Sequence, residues 1–344
     1  MLALVLEGGG MRAGFVAGAL MALMDFGFRN FDIAVAVSAS VPTLAYFLSG
    51  QRTAIEKIWR HELTSDKVVA YRNLPLAVLS DSSSYPVLNT VYLVDHVIRR
   101  KYPLNLDALE GCPTNFLMAA TRVSSCRLDF LRLGQDDLYR IFKACLAVPA
   151  CAVGPVRVGK RKYLDGGIAN PLPVRPLLKY RDIRILGILS KPLHEGHYPT
   201  NFLERVFFWR YFRNHAWVTR CLNKSTKVYA EQVALLEEYR RLEPPAAFII
   251  KPEKMPAADF VTRNRDKVNL TIDTGYRSVE NLKDQLATFL APELAGSRRS
   301  AAIGTPVRPP NTRSSESIGT LHPRDTIRVD QTGAAAEYYD ELQS

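Results

Sequence analysis

Three short stretches hold residue types that could do chemistry together. They are Gly8-Gly9-Gly10-Met11-Arg12, Ala36-Val37-Ser38-Ala39-Ser40 and Asp165-Gly166-Gly167. Ser38 follows Ile33-Ala34-Val35-Ala36-Val37, small or β-branched residues that read as a fully buried parallel strand. Residues 41–48 read as a helix. A serine at a sharp strand-to-helix corner has its hydroxyl lifted clear of the sheet, which suits a nucleophile. Such corners are usually written G-x-S-x-G, and here Ala36 and Ser40 replace both glycines. Taken alone, the pentapeptide fits a buried serine at a strand end better than a nucleophile.

The glycine stretch changes that balance. It follows the apolar run Leu2–Leu6, which reads as a strand, and precedes a helical pattern over residues 15–25. A glycine loop between strand and helix aims backbone N–H groups at one spot, with the helix dipole behind them. A phosphate or the oxyanion of a tetrahedral intermediate would suit it. No G-K-[ST] follows, which excludes a P-loop. The acidic residue of a dinucleotide site is missing from the end of the next strand, where Val37 and Ser38 stand. Asp165 offers a proton acceptor, although Asp-Gly-Gly after a hairpin also occurs as a plain turn.

Between these stretches, strands and helices alternate, which predicts a layered α/β/α domain. Strands are expected at residues 115–121, 127–133 and 183–189. Helices are expected at residues 53–63, 88–100, 136–148 and 171–179. Val156-Arg157-Val158 and Arg161-Lys162-Tyr163 about Gly159-Lys160 read as a hairpin leading into Asp165. Residues 201–243 read as almost wholly helical, 247–251 as a strand and 264–291 as a helix. From Gly296 the chain is poor in large apolar groups, which predicts a disordered tail over residues 296–344, with a short helix at 334–342.

The order of the three motifs resembles that of the patatin-like phospholipase family, whose members carry G-G-G-x-R-G, G-x-S-x-G and D-G-[GA]. The likeness, closest to a bacterial patatin-like subgroup, extends over residues 2–290. It includes Phe248-Ile249-Ile250-Lys251-Pro252 and the stretch near Gly275-Tyr276. It implies a three-layer α/β/α patatin-like domain with a mainly parallel central sheet over residues 1–191. A mostly helical C-terminal extension, residues 192–295, would complete the fold. It also implies a Ser-Asp dyad that cleaves lipid acyl esters through an acyl-enzyme. Ser38 would be the nucleophile and Asp165 the base. Gly8, Gly9, Gly10, Met11 and Arg12 would form the oxyanion loop. No metal and no organic cofactor is implied. The six histidines are scattered and take no part. Ala13, Ser40 and Pro42 depart from the pattern. Pro42 removes the first intrahelical donor if Ser38 caps the helix, so an inactive lipid- or protein-binding module on the same fold is the rival reading.

The net charge of +11 favours anionic partners. No nucleic-acid motif is present. The run from Phe202 to Arg220 interleaves aromatics with arginines, which suits either an anionic membrane surface or a helix buried among others. Five cysteines without a C-x-x-C pair predict reduced thiols and no zinc site. No apolar run is long enough to span a bilayer. The expectation is a cytoplasmic protein, peripheral to the inner face of a membrane.

Overall fold

The computed structural model describes residues 1–73, 86–149, 151–152, 154–193 and 216–291. The contacts separate residues 1–302 from residues 303–344, and the whole of that second unit lies outside the described residues. So does the tail expected from Gly296. The run from Phe202 to Arg220 lies outside them as well, except for residues 216–220, which begin a helix with Val218 buried.

The alternating pattern forms one mixed sheet. Its strands are β1 (Leu2–Leu6), β2 (Ile33–Val37), β3 (Asn115–Arg122), β4 (Leu128–Leu131), β5 (Val156–Val158), β6 (Arg161–Asp165), β7 (Arg184–Ile188) and β8 (Ala247–Ile250). Hydrogen-bonded neighbours run β5-β6-β3-β2-β1-β7-β8, with β4 also on β3. The pairs from β3 through β2, β1 and β7 to β8 are all parallel. Parallel strands covered on both faces have no solvated side, so β1 and β2 are apolar and buried at every position. Helices α1 (Gly14–Asp25), α2 (Ser40–Leu48), α3 (Arg52–Lys57), α4 (Leu106–Glu110), α5 (Leu138–Cys145), α6 (Ala216–Arg240) and α7 (Arg265–Asn281) form the outer layers. Leu4, Leu6, Phe15 and Phe47 belong to the larger apolar core, while Val5, Ile185 and Leu236 belong to another.

The hairpin forms as the sequence predicts, with Gly159 at φ +55° in a two-residue turn. Other expectations are corrected. Residues 171–179 hold only a 3₁₀ turn, Arg175–Leu177. The helices expected at 53–63 and 88–100 pass into wide π turns over Ile58–Glu62 and Tyr92–Lys101. Leu63 N–H donates to Ile58 O at 3.1 Å and Tyr102 N–H to Val97 O at 2.9 Å, each five residues back. The thiol expectation is also overturned in part: Cys126 and Cys221 form a disulfide across 95 residues of sequence. Cysteine count and spacing carry no signal for a pair joined only by the fold.

Past residue 191 the chain returns to the same body. β8 extends the sheet beside β7, and α7 lies on α1. The two helices touch backbone to backbone. A Cβ on Gly275 would stand 2.0 Å from Phe15 O, and one on Gly18 would stand 1.9 Å from Ile272 O. Backbone oxygens in packed helices cannot step aside. Gly275→Val is therefore expected to cost about 3 kcal/mol or more, read as a lower urea midpoint. An unchanged midpoint would mean that α7 is not seated this way.

Candidate active site

β3 is the platform of the site. Its residues Met118 and Ala119 pair with both β2 and β4, and Ala120 and Thr121 with both β4 and β6. A strand has only two edges. β2 and β6 therefore share one edge of β3 and meet end to end, β2 running parallel to β3 and β6 antiparallel. Val37 lies opposite Ala119 and Asp165 opposite Ala120. The residue after β2 is Ser38, so the hydroxyl and the carboxylate arrive at one point from opposite directions.

Ser38 sits at that corner with φ +57°, a left-handed conformation that costs an L-residue of order 1 kcal/mol or more. Hydrogen bonds hold it there. Val41 N–H donates to Ser38 O at 2.9 Å, and Thr43 Oγ1 donates to Ala39 O at 3.0 Å. Ser40 Oγ donates to Glu7 O at 2.7 Å. The serine in place of the usual glycine thus ties the corner to the glycine loop, and its hydroxyl is fully buried and satisfied. Pro42 does not break the helix. The cap is Ala39 rather than Ser38, so Pro42 is the third helical residue, where the N–H has no intrahelical partner in any case.

Asp165 is buried. Its Oδ1 accepts from Gly167 N–H at 2.8 Å, and its main-chain oxygen accepts from Thr121 Oγ1 at 2.8 Å. Its Oδ2 has no partner of full hydrogen-bond geometry among the described residues. Burial pushes the carboxyl up to about 6, against the Ser38 hydroxyl and the Gly167 N–H, which favour its ionised form. The neighbouring Cys145 thiol is driven up by burial and by the Asp165 charge, which keeps it inert.

The glycine loop packs against the same corner. A Cβ on Gly8 would lie 2.9 Å from Ser38 Cβ, and one on Gly9 would lie 2.5 Å from Ser190 Oγ. Gly10, at φ +58°, has Phe260 O where its Cβ would be. Gly8 N–H donates to Pro171 O, Met11 N–H to Phe260 O and Arg12 N–H to Gly9 O. The N–H groups of Gly9, Gly10 and Ala39 donate to nothing among the described residues. Arg12 is buried, with its guanidinium 5.8 Å from the Phe260 ring centroid.

Sequence reasoning missed a buried polar cluster under this loop. Glu7 Oε2 accepts from Ser190 N–H at 2.7 Å, and Ser190 Oγ donates to Gly8 O at 2.8 Å. Lys191 Nζ lies 3.9 Å from the Tyr229 ring centroid. Burial raises the Glu7 carboxyl, while Lys191, the Ser190 N–H and Arg12 oppose the rise. The one available signal was polar residues at the ends of two buried strands, Glu7 after β1 and Ser190-Lys191 after β7. Sequence reasoning also missed the apolar pocket that Ser38 and Gly10 help to line. Pro42, Tyr46, Ile58, Trp59, Leu93 and Phe260 are among its walls, and both π turns contribute to it. Its polar lining apart from Ser38 is satisfied, since Trp59 Nε1 donates to Thr43 Oγ1 at 3.0 Å and Tyr46 OH to Tyr102 O at 2.6 Å. Among the described residues, no three His, Cys, Asp or Glu gather to hold a metal ion, and no helix is long and apolar enough to cross a membrane.

An α/β/α sheet with a serine at a strand-to-helix corner is an arrangement that hydrolases use. The chain belongs to the patatin-like phospholipase family, whose model matches residues 4–178. The uncharacterized protein YjjU of Escherichia coli (strain K12) is 25% identical over 211 residues, which are 60% of this chain and 57% of that protein. The crystal structure of VipD from Legionella pneumophila superposes with a TM-score of 0.46 at 14% identity, covering 82% of this chain and 66% of that one. The chain thus spans less than two thirds of either relative.

Proposed function

We propose that the protein is a lipid acyl hydrolase, phospholipase A-like, that works through a Ser38-Asp165 dyad. The observation that carries the reading is the end-to-end meeting of β2 and β6, which brings a strained serine to a buried carboxylate with an unsatisfied oxygen. Ser38 Oγ attacks the ester carbonyl, and its proton passes to Asp165 Oδ2. The N–H groups of Gly9, Gly10 and Ala39 receive the oxyanion, and Arg12 braces their loop. Collapse of the intermediate releases the alcohol, which takes the proton from Asp165. Water, deprotonated by the same carboxylate, then attacks the acyl-Ser38, and collapse frees the fatty acid and returns the proton to Ser38. The apolar pocket holds the acyl chain. The substrate lies in an aggregate or a bilayer, so the protein works at a membrane surface.

Labelling with a fluorophosphonate probe tests this directly. Ser38 is expected to carry the adduct, and no adduct, or one elsewhere, would sink the reading. The pocket gives a second test. Each methylene moved from water to an apolar wall is worth about 0.8 kcal/mol, so kcat/KM on p-nitrophenyl esters is expected to rise about fourfold per added methylene until the pocket is full. A flat chain-length profile would mean that the chain does not enter it.

A further inference from the structure

We propose that the β5–β6 hairpin is an electrostatic docking prong for an anionic bilayer. This rests on the lipid hydrolase reading, since it names the partner surface of that site. The registers fix where the prong stands. β3 continues past the end of β2, and β6 pairs with that continuation from Asp165 back to Tyr163. The hairpin therefore projects beyond the Ser38 corner, at the carboxyl end of the parallel strands where the pocket reaches Ser38. At about 3.3 Å per residue, Arg161 stands roughly 13 Å past Asp165.

The prong carries Arg157, Lys160, Arg161 and Lys162, all exposed, and its one acid is the buried Asp165 at the base. Arg157 and Lys162 are direct cross-strand partners, a like-charge pair that weakens a hairpin. Among the described residues, Arg157, Lys160 and Lys162 make no ion pair, and Arg161 only approaches Asp129 Oδ2 at 3.7 Å. The nearby acids are engaged elsewhere. Asp129 is held by Arg122 at 2.6 Å and by Tyr163 OH at 2.9 Å. Asp136 accepts from Gly159 N–H at 2.8 Å and pairs with Arg140 at 3.1 Å, so it anchors the turn rather than neutralising the cations. Three cations without an ion pair among the described residues, with Arg161 beside them, stand on a pinned hairpin at the strand end where an apolar pocket reaches Ser38, which matches a surface of anionic headgroups over acyl chains. A nucleic acid would use the charges and leave the pocket idle.

The test uses the full chain with Ser38→Ala, so that lipid is not consumed, and phosphatidylcholine vesicles with or without phosphatidylserine. Co-sedimentation is expected only with phosphatidylserine, and salt should abolish it. Each cation near the surface contributes about fivefold to partitioning. Replacing all four by Gln should lower binding by about a hundredfold or more. Arg157→Glu should lower it about 25-fold, yet raise thermal stability by replacing a like-charge pair with an opposite one. In the Ser38 background, both sets should hydrolyse a water-soluble short-chain ester at the parent rate, which also shows that they fold. Parent binding indifferent to phosphatidylserine, or unchanged in both variants, overturns the prong. Equal binding to duplex DNA, lost in the same variants, also overturns it, because the hairpin would then be a general polyanion surface. A parent that binds vesicles but does not hydrolyse the soluble ester would refute the enzyme reading and leave the prong standing.

Discussion

Asp165→Asn is expected to abolish most ester hydrolysis and, at neutral pH, to make the protein more stable. The amide keeps an oxygen for the Gly167 N–H but presents an N–H₂ to Ser38, which cannot take the serine proton. Loss of a positioned general base costs about 10²–10⁴ in rate. The stability gain follows from burial. A carboxyl raised from 3.8 to about 6 favours the folded state when it is protonated. That contribution is complete below pH 4 and is lost as the pH rises through about 6, where the buried group must ionise. At about 1.4 kcal/mol per pH unit, the charged carboxylate costs the fold roughly 3 kcal/mol at neutral pH. Thermal melts at pH 7.5 should show the variant higher by several degrees, with the difference vanishing near pH 4. The same ionisation sets the activity, so kcat/KM of the parent should fall as the pH drops below about 6. A variant no more stable than the parent at pH 7.5 would mean that Asp165 is not held charged in a dry site. Retained turnover would mean that another group is the base.

Ser38→Ala is expected to lower turnover by about 10⁴ or more, because among the described residues no other hydroxyl at the corner has a carboxylate beside it. Stability should barely change, since alanine meets the same left-handed backbone. Ser38→Gly should be equally inactive and as much as about 1 kcal/mol more stable than Ser38→Ala, because glycine occupies φ +57° without strain. Urea midpoints of the two variants separate these effects. If Ser40→Ala proved as inactive as Ser38→Ala while folding normally, the corner would be displaced. The Ser40 hydroxyl is satisfied by Glu7 O and, in this geometry, only holds the loop.

The order of elements was legible from the chain alone. Leu2–Leu6 and Ile33–Val37 are strands because continuous small and β-branched apolar runs suit a sheet covered on both faces. The hairpin about Gly159 followed from its turn residues. The glycine loop was legible as well, since backbone demands fix its residue types: Gly10 needs a positive φ, and Gly8 must admit the Ser38 side chain.

Tertiary structure decided the rest. No local pattern says that β2 and β6 share one edge of β3, yet that sharing brings Ser38 and Asp165 together across more than a hundred residues. The pocket is walled by residues from α2, both π turns and the loop holding Phe260, none distinctive in its own segment. The Glu7 cluster joins β1 to residues 183 and more positions away. The pairing of Cys126 with Cys221 came from the same source, as did the cap at Ala39 that makes Pro42 harmless. Periodicity reports which face of one element is buried, and turn chemistry reports where that element ends. Neither carries the long-range packing that selects which buried faces and which loop ends meet.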